Sequence, residues 1–184
     1  MNETNPVSFF QEKVHEAQKR QGVLLSEDLE FYLVNLLCHF IYQSQLSKDC
    51  LALIFKQALE SEDKEDRALL FKELGDTALY FSGFFQESFQ RKTYDLSYYI
   101  SMGSGAYLQL SNVTPHKNLS QTYQKIGESF VEAMDILTDV SEQTHQRSTL
   151  SIYTSWQSSG SNLLKKELFK RGVIPIPHKK TMNS

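Results

Sequence analysis

The sequence predicts an all-α protein, a single-domain, bundle-like or orthogonal array of about seven to eight helices. Three observations predict it. Apolar residues recur at intervals of three and four along most of the chain, the period of a helix with one buried face, and nowhere does a stretch require the alternation of a strand. Only four prolines occur, and each falls near a chain end or in a connection. The length of 184 residues, with 40% hydrophobic and 22% charged residues, suits one soluble domain with its own core. The helical domain is expected over 1–172, with 173–184 as an extended tail.

The elements follow in order. Asn5 can cap a first helix with Pro6 at its first position, Phe10, Val14 and Ala17 form its buried stripe, and Gly22 ends it. Ser26 is placed to cap a second helix reaching about Ser44. Its Leu29, Leu33, Leu36, Leu37, Phe40 and Ile41 make it the expected central helix. A third opens at Ser47 or Lys48 and runs through "CLALIFKQALE"; the charged "ESEDKEDR" then forms an exposed turn or the first turn of the next. The fourth starts at about Lys64 and passes through Leu70, Leu74, Ala78 and Phe81. After the connection "QESFQRKTYD", a fifth helix covers about Leu96 to Ser111, and "NVTPHKN" with Pro115 ends it. A sixth, about Leu119 to Gln143, buries Tyr123, Ile126, Phe130, Ala133, Leu137 and Val140. "TLSIYTSWQSSG" and "NLLKKELFKRG" give two more, the latter capped by Gly172.

Charge and composition exclude several functions. A net charge of −3 provides no concentrated basic surface for a phosphate backbone, so nucleic acid is not an expected partner. The N-terminus lacks the basic flank and apolar run of a signal peptide, and no apolar stretch reaches the roughly 20 residues of a membrane helix, so the expected location is the cytoplasm. Cys38 and Cys50 lie in apolar helical patterns and read as small buried hydrophobes, not as a disulfide or a zinc site.

The segment from Gly75 to Tyr107 is the most specified part of the chain. It holds four of the eight glycines, with abundant tyrosine and phenylalanine. Gly75, Gly83, Gly103 and Gly105 fall in or beside helices, where each costs about 1 kcal/mol relative to alanine. They are expected to permit close approach of another helix, and Gly83 in "FSGFF" is expected to mark a break or kink. Asp76 stands in an apolar pattern, and a lone buried charge is expensive, so a partner is expected, with Arg91 the first choice. Asp95 is placed to cap the fifth helix. Two readings are open: a structural ion pair and cap, or a polar pocket of Asp76, Arg91, Asp95, Tyr98 and Tyr99 for a small polar ligand.

The pattern "LGDTALYFSGFF" followed by "RK..D..YYISMG...Y", together with "EDLEFYLVNLL" and "IYTSWQSSGSNLLKKELFKRGV", resembles an uncharacterised family of bacterial cytosolic helical proteins. The resemblance covers most of the chain. It implies a bacterial origin and an all-helical fold, and it brings no catalytic residue, substrate or cofactor.

Other motifs carry less. Glu12 with His15, and Glu142 with His145, have the E-x-x-H spacing of di-metal helical proteins. At about 100° per residue, however, the first pair projects away from the apolar stripe and the second lies off its helix's apolar centre. His39 reads as a buried histidine bonded to a carbonyl, and Ser82 lacks the setting of a nucleophile elbow. Lys165, Lys166, Lys170 and Arg171, with Lys179 and Lys180, form a modest basic end that a helix dipole favours. No metal and no cofactor is expected. The leading expectation is a non-catalytic protein-interaction or regulatory module, binding a protein partner or itself through exposed aromatics among Tyr80, Phe84, Phe85, Phe89, Tyr94, Tyr98 and Tyr99; the alternative is the small-molecule pocket around Asp76.

Overall fold

The computed structural model describes residues 5–42, 51–84 and 96–144, with Lys165, Leu168, Phe169 and Val173. The chain divides into two compact units, Met1–Thr144 and His145–Ser184. In the second, Lys165, Leu168 and Phe169 are helical and the Val173 amide donates to the Leu168 carbonyl at 2.9 Å. The remainder of the two C-terminal helices, the Gly172 cap and the tail lie outside the described residues.

Seven helices pack as one all-α domain in the first unit, and no strand occurs among the described residues. They are α1 (Pro6–Gln21), α2 (Glu27–Tyr42), α3 (Leu51–Glu60), α4 (Lys64–Phe84), α5 (Leu96–Val113), α6 (Lys117–Glu128) and α7 (Phe130–Thr144). Local chemistry sets several boundaries. The Asn5 side chain accepts the Val7 amide at 3.1 Å, satisfying one of the orphan donors at the start of α1. Gly22 ends α1 at φ 65°, a left-handed conformation that glycine adopts without a Cβ clash. Asp63 Oδ1 accepts the amides of Glu65 and Asp66 and so caps α4.

Four expectations need correction. The Ser26 hydroxyl makes no cap bond; its backbone carbonyl receives the Leu29 and Glu30 amides instead. Within α2, Ile41 is exposed, because it sits off the stripe formed by Leu29, Leu33, Leu36, Leu37 and Phe40. His39 is exposed as well. The expected sixth helix is two, α6 and α7, joined at Ser129, whose φ of −108° and ψ of 32° leave the helical range.

The central helix is α4, not α2. It packs along α5, α7 and α3 and touches α2, and every residue from Leu74 to Tyr80 is buried. α5 in turn packs on α6, while α1 lies against α2 and α7. Gly83 produces no break, since α4 is continuous to Phe84. It allows contact instead: a Cβ there would lie 2.6 Å from Leu137 Cβ and 2.9 Å from the Met134 carbonyl oxygen. Gly103 does the same for α5, with Phe130 ring carbons at 2.5 Å and Ala78 Cβ at 2.8 Å from the position of an added Cβ. Gly105 departs from the expected close packing, for a Cβ there would meet nothing within 4 Å.

The end of α4 is tied down by α7. Thr138 donates its hydroxyl to the Gly83 carbonyl at 3.0 Å, and Ser141 donates to the Phe84 carbonyl at 2.6 Å. Above them, Tyr80 stacks between Phe40 at 4.2 Å and Phe84 at 5.2 Å, joining α2 to the end of α4.

Candidate functional site

The sequence places Gly75 and Asp76 side by side in the buried stretch of α4, and the two act together. An added Cβ at Gly75 would lie 3.0–3.1 Å from ring carbons of Tyr107, so the missing side chain seats that ring against the α4 backbone. The seated ring delivers its hydroxyl to the neighbouring carboxylate: Tyr107 donates to Asp76 Oδ1 at 2.7 Å. Tyr32, from α2, donates to the same oxygen. Lys72, one turn earlier on α4, donates to Oδ2 at 2.5 Å. Three helices thus converge on one carboxylate, which is buried with its charge compensated by one cation and two phenols.

The aromatic surround is continuous. Tyr32 meets Tyr107 edge-on at 6.0 Å and Tyr123 edge-on at 5.8 Å, while Tyr107 and Tyr123 lie nearly parallel at 6.3 Å. Such edge-to-face pairs suit the ring quadrupoles. The Lys72 ammonium also stands 5.6 Å from the Tyr32 ring centre, within cation–π range, and its side chain is 43% exposed. Lys72 therefore covers the carboxylate on the side nearest solvent.

Burial, reinforced by the negative charge of Asp76, pushes the Tyr32 and Tyr107 hydroxyls well above the usual phenol range. Burial also raises Tyr123, with the Asp76 charge adding to it. The phenols are thereby kept as neutral donors. A carboxylate has about four lone-pair positions, and three hydrogen bonds already use most of them. Chemically, this arrangement holds a charge in the interior and fixes α2, α4 and α5 to one another. The tyrosines are poised as proton donors to one fixed acceptor, not as bases near neutral pH.

Of the residues singled out from the sequence, Asp76 is paired as a buried acid requires, and its described partners are Lys72, Tyr32 and Tyr107. Arg91 and Asp95 lie outside the described residues. Tyr98 and Tyr99 start α5, about 13 Å along the helix from Tyr107 at the usual rise per residue. They pack edge-on at 5.7 Å, Tyr98 exposed and Tyr99 half-buried. Of the aromatic residues proposed as anchors, Tyr80 is buried, Phe84 is half-buried, and Phe85, Phe89 and Tyr94 lie outside the described residues. Glu12, His15 and Glu142 are exposed, and His145 lies outside the described residues. Cys38 is half-buried, its thiol raised by desolvation, and Cys50 is not among the described residues. No described helix is long and apolar enough to cross a membrane.

Sequence reasoning missed Lys72, Tyr32 and Tyr107 as partners of Asp76. Lys72 was findable, since it lies four residues before Asp76, the spacing at which helical ion pairs form. The two tyrosines come from other helices and leave no local signal.

The outer surface carries large apolar side chains of its own. Phe31 is 69% exposed and Ile41 58% exposed on α2, with Leu24 before it and Leu69 on α4. Val131 is exposed at the start of α7. The described helices form an all-α domain with a carboxylate hydrogen-bonded in its core. No family model, curated protein or solved structure matches this chain.

Proposed function

We propose that this chain is a non-catalytic, cytoplasmic protein-interaction or regulatory domain that binds a protein partner or a second copy of itself. The observation that carries this reading is the exposure of Phe31 and Ile41 on α2, although the helix has already buried its core stripe. Aromatic side chains such as Phe31 are enriched in protein interfaces. The small-molecule alternative needs Asp76 to offer its oxygens to a ligand. Those oxygens are engaged by Tyr32, Tyr107 and Lys72, which favours a structural role for the acid.

Photo-crosslinking in the source cells tests the reading, with the crosslinking side chain placed at Phe31, at Ile41, and at exposed Glu73 as a control. Discrete crosslinked species from Phe31 and Ile41, absent from Glu73, are expected. Uncrosslinked protein at all three positions, together with a non-covalent extra mass in native mass spectrometry that Asp76→Asn abolishes, overturns it in favour of a ligand-binding domain.

A further inference from the structure

The joint at Ser129 has a consequence on the surface. Where α6 ends and α7 begins, the chain turns out of helical geometry and leaves a groove of about 250 Å³ against α5. Ile100 and Val131 line it with apolar side chains over the buried Phe130, and Glu128 and Glu132 line it as well. Both glutamates are exposed, and Val131 is 47% exposed, so the groove and its rim are open to a partner.

The charge around the groove is unbalanced. α7 carries Glu132, Asp135, Asp139 and Glu142 at intervals of three and four, and no lysine, arginine or histidine occurs from Phe130 to Thr144. At the far end of this stripe the imbalance is relieved, because Arg20 from α1 donates to both oxygens of Asp139. At the groove end it is not. Among the described residues, Glu128 receives only the Gln124 amide, and neither Glu128, Glu132 nor Asp135 forms an ion pair. Burial, and after it the neighbouring Glu132, raise the Asp135 carboxyl. An open groove lined by apolar side chains and two exposed acids is complementary to an apolar side chain accompanied by cations, the pattern a basic amphipathic helix presents.

We propose that this groove binds a basic amphipathic helix of a partner protein, with one apolar side chain between Ile100 and Val131 and lysines or arginines meeting Glu128 and Glu132. The acidic rim disfavours phosphate-bearing surfaces, whether nucleic acid or anionic membrane, and steers cationic helices toward the groove. The proposal rests on the interaction-domain reading and assigns that domain a site and a chemistry.

The probe is a synthetic helical peptide with leucine anchors flanked by lysine, titrated against the full chain by fluorescence anisotropy. Two further peptides, one with serine for the leucines and one with glutamate for the lysines, serve as controls. The lysine–leucine peptide is expected to bind, with affinity falling as salt rises. E128K with E132K should weaken it at least tenfold and Val131→Asp at least fivefold, whereas E62K with E73K, exposed acids elsewhere, should change it less than threefold. All of these positions are exposed, so the variants should fold. Equal binding of the serine peptide, or an equal loss with E62K and E73K, would show charge attraction without a groove and overturn the proposal. Absence of peptide binding while Phe31 still crosslinks overturns the groove alone; absence of both overturns the interaction-domain reading too.

Discussion

Asp76 and Asp139 each gather several donors, one in the core and one closer to the surface. Asp76 is buried in α4 and takes two neutral phenols and one half-exposed lysine, all aimed by helices that the core holds in place. Asp139 lies near the surface of α7, where Arg20 reaches it with two nitrogens and Gln143 and Gln21 add amide bonds. The Arg20 side chain is about as exposed as Lys72, but the Asp139 carboxylate is 17% exposed against 8% for Asp76, so water competes more at the surface pair. The contrast teaches that donor number alone does not set what a carboxylate contributes. What removal leaves behind does: stranded buried donors in one case, solvated ones in the other.

The largest effect should follow from breaking the buried member. Asp76→Asn keeps the shape but turns an acceptor pair into an amide facing two phenols and an ammonium; a loss of about 2–4 kcal/mol is expected by urea unfolding. If the variant is as stable as the parent, the carboxylate does not pin the core. Tyr107→Phe removes one donor while the ring stays in its seat against Gly75, and about 1.5–3 kcal/mol should be lost. In a double-mutant cycle the two substitutions should fall short of additive, since both weaken the same Tyr107–Asp76 contact. Arg20→Met tests the surface member and should cost about 0.5–1 kcal/mol; a loss as large as that of Asp76→Asn would erase the comparison.

Titration sharpens it further. Burial pushes the Asp139 carboxyl upward, but the bonds from Arg20, Gln143 and Gln21 outweigh that and hold it below the usual aspartate range. A depressed acid stabilises the fold above its unfolded pKa and loses that contribution as pH falls through the folded value. The stability gap between parent and Arg20→Met should therefore shrink below about pH 4. Tyr32 and Tyr107 behave in the opposite sense. Their raised values mean a contribution intact below the ordinary phenol pKa of about 10 and lost as pH climbs above it. Alkaline unfolding should thus begin above about pH 10, and Tyr107→Phe should reduce its steepness.

Much of this architecture was legible in the chain. Asn5, Pro6 and Gly22 bracket α1 because caps are local chemistry, and the apolar spacing of α5 and of the α6–α7 region reports buried faces directly. The break at Ser129 was not legible. Tyr123, Ile126, Phe130, Ala133, Leu137 and Val140 keep intervals of three and four across it, so the joint shifts no residue out of register. The central position of α4 was hidden for another reason: Gly75, Asp76 and Thr77 lower its apolar content, and only the tertiary partners of Asp76 make such residues tolerable inside. Gly103 and Gly105, two residues apart, could not be told apart by sequence. One faces Phe130 and the other open space, a difference set by which side of α5 meets its neighbours.

The hydroxyls that Thr138 and Ser141 extend to the end of α4 also impose an order on synthesis and folding. They are separated from the carbonyls they satisfy by 55 and 57 residues. While the chain emerges, α4 can form from its own capped start at Asp63, but its Gly83 and Phe84 carbonyls receive these hydroxyls only once α7 has been made and has docked. The last turn of the central helix is therefore completed late, by a helix that begins 46 residues after α4 ends. A chain truncated before Thr138 would lack both hydroxyls and hold the Gly83–Phe84 end of α4 less firmly.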